Sequence, residues 1–361
     1  MRILITGMAG FVGRHLAQYL IKTHHQINNH DNNSAPPEGI SRKIEITGVD
    51  IREDINYGDF CRSALNAGGS EEDAIVNFAR ADLRKKHDVE KIIKDLAPDR
   101  IYHLAAQSSV SYSWENPRQT FEINVFSGIN ILESVKKHSP GCRVLFTCTA
   151  EEYDIADNMA PGNTGAGIKS DCGQAITEQS KINPSNPYAI SKAAIDFFAT
   201  TYCRATGIAV YVTRSFNHTG PGQSERFVVS DFAKQVAEIE AGIKAPVINV
   251  GNTEVYRDFL DVRDVVRAYR DIIEKGHAGQ IYNVCSGERI SVSQILGMLM
   301  SLSSIKNIKV KVDSKKIRPI DSYSVYGDNT KLKDHTGWEP CINIIKSLED
   351  TLNWWRKEIK K

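Results

Sequence analysis

The chain has 361 residues, 41% of them hydrophobic, enough to bury a sizeable core in one large domain or two modest ones. Lys and Arg number 45 against 44 Asp and Glu, so no broad electrostatic field draws the chain to nucleic acid or to an anionic membrane. The seven cysteines are odd in number and never fall in a Cys-x-x-Cys spacing, which argues against a disulfide framework and against a metal site.

The chain opens on residues 2–6, a nearly continuous apolar run that ends in a glycine turn, and residues 12–21 then carry apolar side chains at helical spacing. This predicts strand, turn, helix. The polar stretch 24–43 reads as a surface insertion before a second strand at 44–49, and 65–73 as another loop. Strand-like runs recur at 74–78, 100–104, 143–148 and 209–214, with helical patterns at 86–96, 120–138 and 188–206 between them. Such alternation predicts an α/β fold of the Rossmann type: a doubly wound parallel sheet over residues 1–215 with helices on both faces. After about 215 the elements shorten, and helices and strands interleave with loops at 227–241, 247–250, 262–274, 291–302 and 308–312. Residues 216–361 therefore read as a smaller mixed α/β substrate-binding region, with segments free to cross between the lobes. The first residues lack a charged leader and no run approaches the ~18 apolar residues of a membrane span, so a soluble cytoplasmic protein is expected.

The turn Gly7-x-x-Gly10-x-x-Gly13 is one residue wider at its start than the usual dinucleotide motif. Its context strengthens it: a buried-type strand before, an amphipathic helix after, and Asp50 at the end of the next strand. Glycines let the backbone approach a pyrophosphate, whose charge the helix N-terminus favours. Asp50 suits the adenosine ribose hydroxyls of NAD, whereas Arg52 suits the extra phosphate of NADP, and the choice stays open. Asp82 is placed either to meet the adenine or to face solvent.

Tyr188 and Lys192 stand four residues apart in Asn-Pro-Tyr-Ala-Ile-Ser-Lys. On a helix they share a face, so the ammonium is expected beside the phenol, lowering its pKa and readying it to exchange a proton while a nicotinamide exchanges hydride. Thr149, after the strand 143–148, is placed to hydrogen-bond the reacting oxygen, or else to cap the strand end. Glu151 and Glu152 follow. One of two adjacent carboxylates ordinarily faces solvent; Glu151, if turned inward, is a candidate acid or base, and Tyr153 reads as packing.

Gly7-Met-Ala-Gly-Phe-Val-Gly13, His103-Leu-Ala-Ala-Gln107, Thr149-Ala-Glu-Glu-Tyr153 and Tyr188-x-x-x-Lys192 together resemble the extended short-chain dehydrogenase/reductase (epimerase/dehydratase) family of nucleotide-sugar enzymes. The resemblance covers nearly the whole chain, including Arg257-Asp-Phe-Leu-Asp261 and Tyr282-Asn-Val-Cys-Ser-Gly287. Phe216-Asn-His-Thr-Gly-Pro-Gly-Gln223, Phe227-Val-Val-Ser-Asp-Phe-Ala233 and Arg318-Pro319 resemble its GDP-sugar branch, GDP-4-keto-6-deoxy-mannose reductases first and GDP-mannose 4,6-dehydratases next.

The resemblance implies that Tyr188 carries the proton, that Lys192 also holds the nicotinamide ribose, and that Thr149 polarises the oxygen at sugar C4. It implies NAD or NADP contacts from Gly7, Gly10, Phe11, Val12, Gly13, Asp50, Arg52, Asp82, Leu83, Leu104, Ala105, Ala106 and His218. Sugar and diphosphate contacts are implied for Ser108, Val110, Asn217, Phe227, Val228, Arg257, Arg318 and Asp321, the two arginines as diphosphate clamps. Glu151 matches the carboxylate that assists water loss in the dehydratases, but reductases carry an acid there too. The activity so implied is deoxysugar biosynthesis: reduction of a GDP-4-keto-6-deoxy-hexose, with a GDP-mannose-type 4,6-dehydratase, a 4-epimerase and a non-catalytic nucleotide-binding protein as alternatives. A homodimer is also implied, paired through the helices 120–138 and 188–206. Three departures bear on substrate identity: Asp154 where the family has glycine, the long segment 154–183, and the insertion at 24–43.

Overall fold

The structure is a computed structural model that describes residues 1–30, 43–52, 74–155, 174–317 and 323–361. Seven parallel strands form the central sheet: β1 (Arg2–Thr6), β2 (Ile44–Asp50), β3 (Ala74–Arg80), β4 (Arg100–His103), β5 (Arg143–Thr149), β6 (Val210–Ser215) and β11 (Ile281–Val284), in the spatial order β11-β6-β5-β4-β1-β2-β3. The order reverses between β1 and β4, where a doubly wound sheet opens a crevice beyond the carboxyl ends of its strands. β1 lies inside the sheet between β4 and β2 and buries every side chain but Arg2, as a strand covered on both faces must.

Helices cover both faces. On one, α1 (Phe11–His30) sets Leu16, Ala17, Leu20 and Ile21 against Ile3, Ile5, Ile44 and Ile46 of the sheet. On the other lie α2 (Lys86–Leu96) and a run built from α3 (Val110–Glu115), α4 (Pro117–Phe121), a π-helical turn (Glu122–Phe126) and α5 (Ser127–His138), followed by α6 (Pro187–Thr206). There Val89, Ile93, Ile131, Leu132, Val135, Ile195 and Ala199 pack onto Leu4, Ile101, Val144, Phe146 and Val212. The expected insertion at 24–43 is corrected in part, because α1 continues to His30 where a polar run was read as loop; Asn and His have enough helix propensity to extend a helix already nucleated and packed. The loop read at 65–73 lies outside the described residues.

A second lobe holds α7 (Val228–Glu240), α9 (Val292–Ser301) and α11 (Ile344–Glu358) around Phe232, Val236, Ile295, Leu299, Leu348 and Trp355. Short strands join it to the first: β7 (Asn217–Thr219) pairs with β10 (Phe259–Asp261), β8 (Val247–Val250) with β13 (Lys309–Val312), and β9 (Tyr256–Arg257) with β12 (Ile290–Ser291) and β14 (Ser324–Val325). The chain then crosses back. β11 extends the main sheet beside β6, and α8 (Val262–Lys275) sets Val265, Val266, Tyr269, Ile272 and Ile273 into the same core as α1. Near it, α10 (Thr330–Thr336) contributes Leu332. Among the described residues no helix is long and apolar enough to cross a membrane.

Candidate active site

The glycine turn is forced by contact distances. Gly7 has φ +69°, and a Cβ on it would stand 3.0 Å from the backbone of Ala105; a Cβ on Gly13 would stand 2.5 Å from the Gly7 carbonyl. A side chain at either position would push the turn apart. Gly10 N–H donates to the Gly7 carbonyl at 2.9 Å, after which α1 begins at Phe11 and Val12 and leaves its first N–H groups facing the crevice. Phe11 stacks on the His218 ring, which β7 brings from the far lobe, with centroids 6.1 Å apart and planes 7° apart. Burial of its ring nitrogens lowers the His218 pKa, so it is neutral at physiological pH. Below the turn, Thr6 Oγ1 accepts from Ala105 N–H at 3.2 Å and lies 2.8 Å from His103 Nδ1, joining β1 to the Leu104-Ala105-Ala106 loop after β4.

At the ends of β2 and β3, two acids are already held by arginines. Asp50 accepts from Arg52 Nε at 3.2 Å and Nη2 at 3.1 Å. Asp82 is gripped by Arg84 at 2.9 Å and 2.8 Å, and that hydrogen bonding keeps its carboxyl below the usual range. Asn130 of α5 anchors the Leu83 carbonyl at 2.9 Å. Arg14, one turn into α1, feels both Arg52 and Asp50, which draws it into the same charge cluster. The sequence reading did not single it out.

The reactive groups meet between β5 and α6. Asn186 caps α6, accepting from Ala189 N–H at 2.9 Å, and Pro187 takes the first helical position, where a missing N–H costs nothing. That cap fixes Tyr188 and Lys192 on the inner face. Thr149 Oγ1 accepts from Glu151 N–H at 3.3 Å, and its hydroxyl is near enough to influence the Tyr188 phenol. Glu151 accepts from Asn186 Nδ2 at 3.0 Å, so the cap residue that starts α6 also orients the candidate acid or base.

Lys192 does not do what its spacing suggested. It is buried and its Nζ donates to the Thr147 carbonyl at 2.7 Å. Burial lowers its pKa. The Tyr188 ring is partly exposed, yet its phenol lies deep. Burial first and the Glu151 charge next push the phenol pKa well up, outweighing the influence of the Thr149 hydroxyl. The expected lowering is therefore corrected: a phenol in this setting holds its proton, as an acid does.

Of the residues expected to meet substrate, Ser108 (exposed) and Val110, at the start of α3, lie at the same end of the sheet as Asn217, exposed at the start of β7. Phe227, 48% exposed, is the N-cap residue of α7, and Val228 opens that helix. Arg257 lies on β9 and donates from Nη1 to the Tyr256 carbonyl at 2.7 Å. Its neighbour Asp258 is buried and gathers N–H groups of Ser286, Gly287 and Gly327, which shapes the loop beside it. Arg318 and Asp321 lie outside the described residues, as does most of the segment 154–183.

Several positioning groups escaped the sequence reading. Asn124, buried in the π-helical turn, joins Gln107 N–H (2.8 Å) and the Gln107 carbonyl (3.0 Å) to Ser191 Oγ on α6 (2.9 Å). The Asn-Pro pair that caps α6 was a legible signal. Glu152 was expected at the surface if Glu151 turned inward; instead it is fully buried against Arg214, and Glu151 is half-buried. An arginine in an otherwise uncharged, fully buried strand was the clue, because a buried cation needs a carboxylate. Tyr153 is buried as expected and donates to Asn283 Oδ1 at 2.7 Å.

Residues 4–351 match the model of the GDP-mannose 4,6 dehydratase family. The chain belongs to this family. Its members are extended short-chain dehydrogenases/reductases, NAD(P)-dependent enzymes of nucleotide sugars. Within it, the chain is similar to GDP-6-deoxy-D-mannose reductase of Pseudomonas aeruginosa, at 29% identity over 100% of this chain and 99% of that protein. It is also similar to CDP-paratose 2-epimerase of Salmonella typhi, at 25% identity over 98% and 99%. Among solved structures, RMD of Pseudomonas aeruginosa complexed with NADPH superposes with a TM-score of 0.73 at 28% identity, covering 99% of both chains. UDP-glucose 4-epimerase of Thermus thermophilus in complex with NAD gives 0.73 at 26%, again over 99% of both. For a family member, a glycine turn that a Cβ would block, facing an open helix N-terminus, fits the pyrophosphate of a dinucleotide.

Proposed function

We propose that the protein reduces a GDP-linked 4-keto-6-deoxy-hexose at sugar C4, with NADPH as the hydride source. The carrying observation is the placing of Tyr188 and Lys192 on one helix, whose cap residue Asn186 also holds Glu151 beside Thr149. Reduction of a ketone needs a proton donor at the carbonyl oxygen, and a phenol that is protonated at neutral pH can supply the proton. The full-length similarity to a GDP-6-deoxy-D-mannose reductase supports the same direction.

The bound nicotinamide supplies the hydride; the chain supplies the rest. Thr149 and Tyr188 orient the C4 oxygen, Tyr188 gives it the proton, and Lys192 holds the nicotinamide ribose. Gly7, Gly10, Phe11, Val12 and Gly13 cradle the pyrophosphate, with Asp82, Leu83, Leu104, Ala105, Ala106 and His218 lining the cofactor. On the adenosine side Arg52 pairs with Asp50 and Arg14 stands near both, guanidinium groups of the kind that suit the extra phosphate of NADP. Ser108, Val110, Asn217, Phe227 and Val228 take the sugar and nucleotide, and Arg257, Arg318 and Asp321 the diphosphate end. In this reading residues 1–215 form the cofactor lobe and 216–361 the substrate lobe, with β11 and α8 returning to the first. The free thiols at 142, 148, 203, 285 and 341 support a reducing, cytoplasmic setting.

A second reading, GDP-mannose 4,6-dehydratase, is favoured by Glu151, a carboxylate held at the site by Asn186. One assay separates the two. The enzyme is given GDP-mannose, and then its 4-keto-6-deoxy product with NADPH or NADH, while nicotinamide absorbance and product mass are followed. Stoichiometric oxidation of reduced cofactor with the keto-sugar alone is expected. Loss of water from GDP-mannose without net cofactor use would replace the reductase by the dehydratase.

A further inference from the structure

Behind the reactive groups lies a buried charge cluster with no part in the proposed chemistry. Glu152 and Asp196 are 0% exposed and Arg214 only 2%. Asp196 Oδ2 accepts from Arg214 Nε at 2.8 Å and lies 2.7 Å from Nη2, while Glu152 Oε2 stands 3.3 Å from Nε. The guanidinium also lies over the Tyr153 ring at 4.9 Å and donates to the Glu178 carbonyl at 3.4 Å. Through its other oxygen, Glu152 accepts the Thr149 backbone N–H at 3.1 Å, closing a capping box at the end of β5. Asp196 sits four residues after Lys192 on α6, so the cluster ties the Thr149 corner to the catalytic helix.

Its hydrogen bonding is incomplete. Two carboxylates share one guanidinium, the nearby Lys192 ammonium donates to the Thr147 carbonyl, and a buried carboxylate oxygen without a donor is costly. Glu152 Oε2 and Asp196 Oδ1 make no hydrogen bond among the described residues. A single proton resolves this: placed on one carboxyl and aimed at the other, it serves both orphan oxygens. One oxygen from each carboxyl and Cys148 Sγ lie within 4.8 Å of one another, but the guanidinium already supplies the cation there, which disfavours a metal ion.

We propose that Glu152 is a positioning residue that shares one proton with Asp196, locking the Thr149 end of β5 to the Tyr188–Lys192 helix, and that losing this proton loosens the lock. Burial first and the Asp196 charge next raise the Glu152 carboxyl to about 8, against Arg214 and the Thr149 N–H. The other groups facing it are Cys148 on β5, Tyr188 and Lys192 on α6, and Tyr153. A carboxyl whose folded pKa exceeds its ordinary 4.5 binds its proton more tightly when folded, so its contribution is complete below 4.5 and is lost as pH rises through about 8.

The catalytic part of this inference rests on the proposed function; the proton itself does not, and the experiment separates them. Glu152→Gln in the full chain keeps an acceptor for Thr149 N–H and a donor for Asp196, a permanent copy of the protonated form. The parent is expected to show an alkaline fall in kcat near pH 8, and Glu152→Gln to abolish it while holding kcat at neutral pH within about threefold and KM unchanged. By difference infrared spectroscopy, the parent shows the carbonyl band of a protonated carboxyl that fades through the same pH. The band is absent from Glu152→Gln and retained in Tyr188→Phe. Should Glu152→Gln fail to fold, Asp196→Asn leaves Glu152 alone with Arg214, and the band should be missing at pH 7. An alkaline limb that survives Glu152→Gln, no such band in the parent at pH 6, or a band that persists in Asp196→Asn each overturns the proposal. The band at its expected pH with no turnover on any nucleotide sugar sinks the proposed function and supports the proton assignment.

Discussion

Tyr188 shows how burial can reverse a sequence-based expectation at a single residue. A lysine one helical turn away would lower a phenol pKa in an open setting, but Lys192 spends its ammonium on the Thr147 carbonyl and the phenol is buried beside Glu151. The phenol is then a proton donor first. Tyr188→Phe keeps the ring and removes the proton, so kcat should fall by about a hundredfold or more while cofactor affinity, read by fluorescence titration, stays within a factor of two or so. Wild-type turnover in this variant would remove Tyr188 from the chemistry. Arg52 offers a second test. With its guanidinium clasped on Asp50, Arg52→Ala bares a carboxylate toward the adenosine end, and affinity for NADPH should drop about tenfold while that for NADH holds or improves. Equal losses for both cofactors would count against the NADP reading.

Among the elements, α6 carries the most. Its start is written locally in Asn186-Pro187, where one side chain caps the helix with Oδ1 and holds Glu151 with Nδ2. Asn186→Ala should lower stability by about 1 kcal/mol through the lost cap, measurable by denaturant unfolding. It should also lower kcat, because Glu151 loses its partner. An Asn186→Asp variant restores the cap but not the donor, so it should recover stability and leave kcat low; recovery of both would mean that the link to Glu151 carries no function. The glycine turn is equally local in origin, since a Cβ at Gly13 would meet the Gly7 carbonyl at 2.5 Å.

For the whole molecule, the two lobes interleave: β11 and α8 return to the cofactor sheet after the chain has begun the second lobe. The outer face of α6 exposes Ile190 (44%) and Phe197 (53%) one heptad apart, and Phe126 (53%) and Trp114 (63%) stand exposed on the preceding helical run. Apolar side chains in this number on neighbouring helices fit a two-fold helix-pairing interface. We therefore expect a homodimer by light scattering, and Phe197→Asp to shift it to monomer without unfolding. A parent that is monomeric at micromolar concentration would refute this.

Much of this protein was legible in local patterns. Apolar periodicity marked the main strands and helices because each element must bury a face. The glycine turn, the Tyr-x-x-x-Lys spacing and the Asn-Pro cap are short-range constraints that a chain must write in adjacent residues. What only the tertiary structure decided is which distant groups share one dry space. Glu152, Asp196 and Arg214 come from three elements and meet only when β5, β6 and α6 pack. Neither the end of α1 nor the direction of the Tyr188 shift could be read from spacing, because both depend on neighbours that folding supplies. Local sequence determined where the chemistry sits; the burial that long-range packing creates decided which of those groups hold their protons.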